Sequence, residues 1–308
     1  MPANISDIIQ LIYTILLLPF YLYFTYQLGY QIFIRKNKEL RNEYYPLLFY
    51  KGIIDNTTII VMFLTSRIQK FNVFDDFFLN NNFLAYILYF TTGLTFSNMF
   101  FIAFFISFNR FIALCHPIKY KSYFSLKKLS IYIFSMALIG IIIGSWAITY
   151  KVHYVWNKEA KRVSGVFINP NNAYFNSVLT IFLYFPLLIF TSIFNVITFL
   201  KYRSIKSHSS KNPSINKVEY RLFFYNVVSF LVMIAFEIYY IFRYFPYVLG
   251  NLAYLEAIAI QSLSWMVDIM TYGLFITSLS LSKVLYNLMR SSKKRVLVIN
   301  CGFKTDSR

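Results

Sequence analysis

The sequence predicts an all-α membrane protein, a bundle of seven transmembrane helices with its N-terminus outside and its C-terminus in the cytoplasm. Hydrophobic residues make up 58% of the 308 residues and charged residues only 14%, which is too little charge to cover the surface of a soluble protein. Seven apolar stretches are each long enough to cross a bilayer. Lysine and arginine are enriched in alternate loops, which predicts the orientation of the bundle in the membrane.

Each predicted span rests on its length. A membrane-crossing helix needs about 20 mainly apolar residues, because the hydrocarbon layer is about 30 Å thick and a helix rises about 1.5 Å per residue. Pro19 and Pro186 lie inside spans, where neighbouring helices can satisfy the freed carbonyl groups. The stretches that meet the length are residues 8–34, 44–66, 83–108, 129–150, 173–200, 218–242 and 254–281.

These spans form one transmembrane domain, residues 1–282, which is followed by a basic cytoplasmic tail, residues 283–308. At the start of the tail, Leu285, Leu288 and Met289 recur at the i, i+3 and i+4 spacing of a helix face, with polar residues between them. This pattern predicts a short interfacial helix lying along the membrane surface after the last span.

The distribution of basic residues predicts the orientation. Of the 30 lysines and arginines, 22 fall in the tail and in the loops on its side, and seven fall on the opposite side, including Arg67 and Lys70 after the second span. Cytoplasmic loops carry such an excess, so the net charge of +18 records orientation and no nucleic-acid partner is predicted. Cys115 and Cys301 both fall on the reducing side, so no disulfide is expected.

Enzyme chemistry is not predicted. His116, His153 and His208 lie on three different connections, so no pair has the spacing of metal ligands on one helix. The sequence also lacks the glycine-flanked serine, Walker and dinucleotide motifs. We therefore expect no catalytic residue, no metal and no cofactor.

Two acidic residues lie inside spans, where a charge is costly and is a functional candidate. Asp55 lies four residues after Lys51 on one face of the second span, so these two side chains are predicted to pair. Asp268 lies four residues before Tyr272 in the last span.

The most specific motif follows the third span and runs from Asn109 through Arg110 and Phe111 to Tyr120. It resembles the Asp-Arg-Tyr segment and following loop of rhodopsin-like G-protein-coupled receptors, with Asn109 in place of the acid and Phe111 in place of the tyrosine. Asp268 to Tyr272 is similar to the family's Asn/Asp-Pro-x-x-Tyr motif without its proline.

Other family features are absent, and their absence narrows the resemblance. Ala85 stands where these receptors carry the cysteine of their outer disulfide, and the sixth span has no Cys-Trp-x-Pro element. With 35 Phe and 27 Tyr residues, the chain looks like a nematode serpentine chemoreceptor, nearest to the gamma and V-type groups.

The resemblance implies a plasma-membrane receptor, such as one in a sensory cilium, that binds a small environmental or pheromone-like molecule and signals to a heterotrimeric G protein. Its switch would centre on Arg110. The implied switch residues are Asn109, Arg110, Phe111, Asp55, Asp268 and Tyr272, and the implied G-protein contacts are His116, Pro117, Lys201, Arg203, Lys217 and Arg221.

Bundle pockets are apolar with a few polar groups, so ligand candidates are taken from the outer halves of the spans. Thr92 replaces the aspartate of amine receptors, and Lys283 lies too close to the cytoplasm to hold retinal. The candidates are Tyr86, Tyr89, Thr92, Tyr239, Tyr240, Gln261 and Trp265.

Two other classes stay open. A multi-pass transporter or ligand-gated channel would predict repeats, interrupted helices or rings of charge, and the odd number of spans and the missing repeat disfavour it. A structural membrane protein would make Arg110 dispensable. The sequence leaves the oligomeric state open.

Overall fold

The computed structural model describes residues 4–37, 40, 44–157, 162–168, 171–208, 213–249, 262–282 and 285–286. Seven long helices run through these ranges, and we label them α1 to α7. They are α1 (Ile5–Gly29 and a π turn, Tyr30–Ile34), α2 (Tyr44–Met62, a π turn, Phe63–Arg67, and a 3-10 turn, Ile68–Phe71), α3 (Phe83–Cys115), α4 (Leu126–Ile148), α5 (Asn171–Leu179, a π turn, Thr180–Tyr184, and Phe185–His208), α6 (Pro213–Leu249) and α7 (262–268, a π turn, Ile269–Gly273, and Leu274–Leu281).

Six of these helices are long and apolar enough to cross a membrane, with mean hydropathies between 1.5 and 2.2. The seventh is described from residue 262 onward, so the predicted residues 254–261 lie outside the described part. Large apolar side chains such as Phe134 and Ile142 on α4 are more than half exposed. In a bundle of this kind such side chains face lipid.

Several helices are longer than the apolar stretches that predict them. α5 continues to His208 and α6 begins at Pro213, so most of the basic connection between the fifth and sixth spans is helical. Lysine and arginine are good helix formers and carry their charge on long stems, which lets a helix continue past the edge of its apolar stretch. Hydropathy alone therefore marks the membrane core and misses the helix ends.

A β-hairpin, which the sequence pattern did not predict, follows α4. Strand β1 (Val152–Asn157) pairs antiparallel with β2 (Arg162–Phe167), with Val152 opposite Phe167. The valine and aromatic residues that make up most of β1 are typical of a strand.

This hairpin is fastened to the ends of α2 and α3. The Tyr154 hydroxyl donates to the Thr65 carbonyl at 2.9 Å, and the Tyr89 hydroxyl donates to the Gly165 carbonyl at 2.7 Å. The ring of Tyr89 lies 4.0 Å from that of Phe167. Burial raises the pKa of Tyr154 to about 12, so its hydroxyl stays a donor further into the alkaline range than that of an exposed tyrosine.

Helix α3 lies at the centre of the bundle, against α2, α4 and α5. Its Phe100 ring stacks on Tyr184 of α5 at 4.6 Å. Its closest approach is to α4, where a Cβ on Gly144 would lie 2.5 Å from the Phe90 carbonyl oxygen and a Cβ on Gly93 would lie 3.0 Å from the Gly144 Cα. Small residues four apart allow helices in membranes to pack this closely.

The predicted interfacial helix lies mostly outside the described residues. Leu285 and Tyr286 are helical, and the Ser282 hydroxyl accepts a hydrogen bond from the Leu285 N–H at 3.3 Å. A serine in this position caps a helix start. Cys301 also lies outside the described residues, while Cys115 is a free thiol.

Candidate functional site

A group of charged side chains lies where α1, α2 and α7 meet, at the end of the bundle that carries the chain's N-terminus. We call Asp7, Arg67, Lys70 and Asp268 the N-terminal charge cluster. Arg67 forms a buried ion pair with Asp268, and these side chains are 4% and 5% exposed. Lys70 forms a second ion pair with Asp7 at 2.7 Å. The cluster joins α2 to α7 through the first pair and to α1 through the second.

Neutral side chains supply further hydrogen bonds to the Arg67–Asp268 pair. The Tyr13 hydroxyl donates to the second oxygen of Asp268, and Arg67 Nη1 donates to the Thr14 hydroxyl at 2.9 Å. A buried ion pair is tolerated when its remaining donors and acceptors find partners. Here both partners on α1 help to hold the α2–α7 contact.

The Arg67–Asp268 pair was not predicted, because Arg67 was expected just beyond the end of the second span, whereas the structure places it within the helix and buries it. The helical part of α2 continues through Ile68–Phe71, which carries Arg67 into the bundle. One sequence signal could have revealed the pair: a buried acid in the last span requires a cation, and Arg67 stands directly after a predicted span. Asp268 thus lies near the N-terminus, with these groups and not beside Arg110.

A second buried ion pair, Lys51–Asp55, lies nearer the middle of the bundle, and its predicted pairing is confirmed. Tyr21 of α1 donates to the Asp55 carboxylate at 2.6 Å. Lys51 Nζ also donates to the Met270 carbonyl of α7 at 3.2 Å. Asp55 itself is fully buried. The pair therefore joins the same three helices as the N-terminal charge cluster.

The π turns position both buried pairs. Arg67 lies in the π turn of α2, and the Met270 carbonyl that accepts from Lys51 lies in the π turn of α7. Such turns interrupt the regular hydrogen-bond ladder and are frequent at functional sites. Ile269 takes the place of the family's proline, yet the helix is distorted at this point.

Arg110 lies at the opposite end of the bundle, where α3 approaches the start of α2. Its guanidinium carbon is 4.5 Å from the centre of the Tyr44 ring, a cation–π distance. Within the described residues Arg110 forms no ion pair, and its Nε is buried without a hydrogen-bond partner. Asn109 is buried and donates instead to the Tyr120 hydroxyl at 3.0 Å. The arginine is thus held by the Tyr44 side chain and not by a carboxylate.

Buried polar groups without partners also occur in the halves of α5 and α6 that lie toward this end. In the described part of the chain they include the Asn195 and Asn226 side-chain amides and the hydroxyls of Thr198 and Tyr225. Such groups cost free energy when they are buried unpaired. Contact between these helix halves is therefore less favourable than contact through apolar side chains would be.

The remaining predicted switch residues lie apart from one another. The ring of Phe111 stacks on Phe194 of α5 at 5.0 Å. The ring of Tyr272 is buried edge-on to Tyr13 at 6.0 Å, beside the N-terminal charge cluster. The structure thus places Asn109, Arg110 and Phe111 at one end, and Asp268 and Tyr272 toward the other.

The structure places the described ligand candidates in different surroundings. Tyr86 and Tyr89 pack beneath the hairpin, and the hydroxyl of Thr92 bonds to the Leu88 carbonyl of its own helix. Tyr239 and Tyr240 lie in the main core. Trp265 is 41% exposed and donates to the Ser6 hydroxyl. Gln261 lies outside the described residues.

The predicted G-protein contacts lie at the Arg110 end. His116 and Pro117 are exposed after α3, and Lys201 and Arg203 are exposed near the end of α5. Lys217 and Arg221 lie in α6, and their side chains fall outside the described part.

Residues 10–290 match the family described as serpentine type 7TM GPCR chemoreceptor Srv, so the molecule is a seven-transmembrane receptor. The chain belongs to the Srv family of serpentine chemoreceptors. This confirms the resemblance and its V-type group, and it places the protein in a family of receptors and not of enzymes. No curated protein matches the chain.

Proposed function

We propose that the protein is a chemosensory receptor of the plasma membrane that binds a small molecule from outside and activates a heterotrimeric G protein by rearranging its helices around Arg110. Family membership supports the receptor class. The bias of basic residues supports a cytoplasmic location for the Arg110 end. A small environmental or pheromone-like molecule is the ligand class that the resemblance favours.

The observation that carries the proposal is the state of Arg110. Its guanidinium rests on the Tyr44 ring and has an unpartnered buried Nε. A partner that offers carboxylate or carbonyl oxygens would satisfy this group better than the ring does. The unpaired amides and hydroxyls of α5 and α6 would likewise gain partners or water if these helices separated. Both effects favour a second helix arrangement when a partner binds at this end.

The proposal is tested in cells that express the receptor with an energy-transfer sensor of G-protein dissociation, against a panel of volatile and polar small molecules. We expect at least one compound to elicit a response that Arg110→Ala abolishes at equal surface expression. A ligand-evoked current without any G-protein signal would instead support a channel, and an unchanged response in Arg110→Ala would overturn the role of Arg110.

The Asn109→Asp variant is expected to lower basal signalling. Asparagine bonds to Tyr120, whereas an aspartate would give Arg110 an adjacent charged partner, and a charge-assisted hydrogen bond is roughly twice as strong as a neutral one. A gain of about 1 kcal/mol for the resting arrangement corresponds to a decrease of about fivefold. The measurement is ligand-free G-protein dissociation at matched surface expression.

Asn109→Ala is the matched control, because it removes the Tyr120 contact without adding a charge. Its basal signal should not fall. Equal basal signals in the wild type and in Asn109→Asp would contradict the restraining role assigned to an acid at this position.

A further inference from the structure

We propose that the cleft between α1 and α2, which is lined in part by the N-terminal charge cluster, binds the anionic head of an amphiphile. The head would be a carboxylate or phosphate, and the attached tail would be apolar. This assigns a chemical class to a ligand of the proposed receptor, and it rests on the proposed function only for its role in signalling. The binding itself follows from the groups that line the cleft.

The cleft carries two buried donors that lack acceptors. It is lined by Asp7, Gln10, Leu11, Phe63, Arg67, Lys70 and Phe71. Within the described residues, neither the Nε of Arg67 nor the Nε2 of Gln10 has a hydrogen-bond partner. Their residues are only 4% and 2% exposed. Unpaired buried N–H groups are costly, so an oxygen-bearing anion in the cleft would stabilise both.

Asp7 occupies part of this site in the structure. Its carboxylate pairs with Lys70 at 2.7 Å, and Lys70 also donates to Gln10 Oε1 at 3.3 Å and to the Ser264 hydroxyl at 3.2 Å. Asp7 lies in the first turn of α1 and is less buried than the Arg67–Asp268 pair. An incoming anion would therefore replace Asp7 on Lys70 while the Arg67–Asp268 pair stayed intact. The Asp7 carboxylate therefore competes with the anion for Lys70.

The size and flanks of the cleft favour a small head on an apolar tail. Its cavity volume is about 10 Å³, the space of about one water molecule, so a carboxylate or phosphate head fits only in the position that the Asp7 carboxylate occupies in the structure. Leu11, Phe63 and Phe71 form its apolar walls. Beyond it, Ile8, Ile12 and Ile15 of α1 are each more than 40% exposed. The head would enter the cleft while the tail lay along this face of α1.

The test uses the full-length receptor in nanodiscs of phosphatidylcholine and measures the direct binding of tritium-labelled octanoate, with unlabelled octanol as the neutral competitor. We expect octanoate to bind and octanol to compete poorly. Lys70→Met and Gln10→Leu should each weaken binding by about tenfold, the value of one charge-assisted hydrogen bond. Asp7→Asn should strengthen binding by about tenfold, because it removes the competitor.

Lys151→Gln is the matched control, because it removes an exposed positive charge at the same end of the bundle and should leave the affinity unchanged. Opposite shifts in the Asp7 and Lys70 variants distinguish this site from a general loss of folding. Equal competition by octanol, or the same affinity in all five proteins, would overturn the proposal.

A second measurement separates the two sources of such an anion. Receptor from nanodiscs that contain phosphatidylglycerol is analysed by native mass spectrometry. Retention of phosphatidylglycerol by the wild type but not by Lys70→Met assigns the cleft to a membrane lipid, whereas octanoate binding alone assigns it to a soluble acid. If neither molecule is held, the site does not exist. Because no signalling is measured, this outcome is independent of the G-protein experiment.

Discussion

Replacing Asp268 with asparagine is expected to destabilise the folded receptor by about 3–5 kcal/mol, the cost of leaving a buried charge without its partner. Arg67 is buried at the junction of α1, α2 and α7, and its contact with Thr14 cannot neutralise it. The measurement is the Tm of the receptor purified in detergent.

Asp76→Asn is the control for this experiment, because Asp76 is an exposed acid near the same end of the bundle and its loss should change the Tm little. Adding Arg67→Gln to Asp268→Asn should restore much of the lost stability, since the double variant no longer buries an unpaired charge. A Tm of Asp268→Asn equal to that of Asp76→Asn would show that the pair contributes nothing to folding.

Replacing Gly144 with alanine is expected to push α3 and α4 apart. The added Cβ would lie 2.5 Å from the Phe90 carbonyl oxygen, which belongs to the backbone of α3 and cannot rotate away. Overpacking of this kind costs typically about 1–3 kcal/mol. The result should appear as a lower Tm and a smaller monodisperse fraction in size-exclusion chromatography.

Gly273→Ala provides the matched glycine variant. A Cβ at Gly273 would meet nothing nearer than Ile269 Cγ2 at 3.5 Å, an ordinary contact distance, so this variant should fold as well as the wild type or slightly better. A similar decrease in Tm for Gly144→Ala and Gly273→Ala would mean that glycine is needed for backbone freedom and not for close packing.

The sequence predicted the bundle because membrane helices are marked by a property of each segment alone, its apolar length. The ends of α2, α5 and α6 escaped that signal, because the backbone hydrogen bonds of a helix continue wherever the side chains permit them. The hairpin escaped because its strands of six residues are far shorter than the apolar length that marks a span.

The two buried ion pairs differ in the same way, because spacing along one helix sets the first pair and packing between helices sets the second. Lys51 and Asp55 could be paired from the sequence, because four residues along one helix set their distance. Arg67 and Asp268 are separated by 201 positions, and only the packing of α2 against α7 brings them together. The aromatic ligand candidates were chosen by residue type, and aromatic rings serve cores and membrane interfaces as often as pockets.

Gly140 and Gly144 mark the α3–α4 contact in the sequence itself. Their Gly-x-x-x-Gly spacing within an apolar helix is a known sign of close helix packing. A Cβ at Gly140 would collide with the Asn98 side chain, so both glycines face α3. The motif therefore indicates that α4 packs closely against another helix, although the spacing alone does not say that the neighbour is α3.

The attachment of the β-hairpin determines how the N-terminal end responds to its chemical surroundings. Hydrogen bonds from Tyr89 and Tyr154 and the Tyr89–Phe167 ring contact hold it, and none of these depends on a thiol. The cap over α2 and α3 is therefore insensitive to redox state, and reductants that open outer disulfides leave these contacts intact. The hairpin docks onto α2 and α3 as the chain folds, without an oxidative step. Its attachment is therefore as stable in a reducing medium as in an oxidising one.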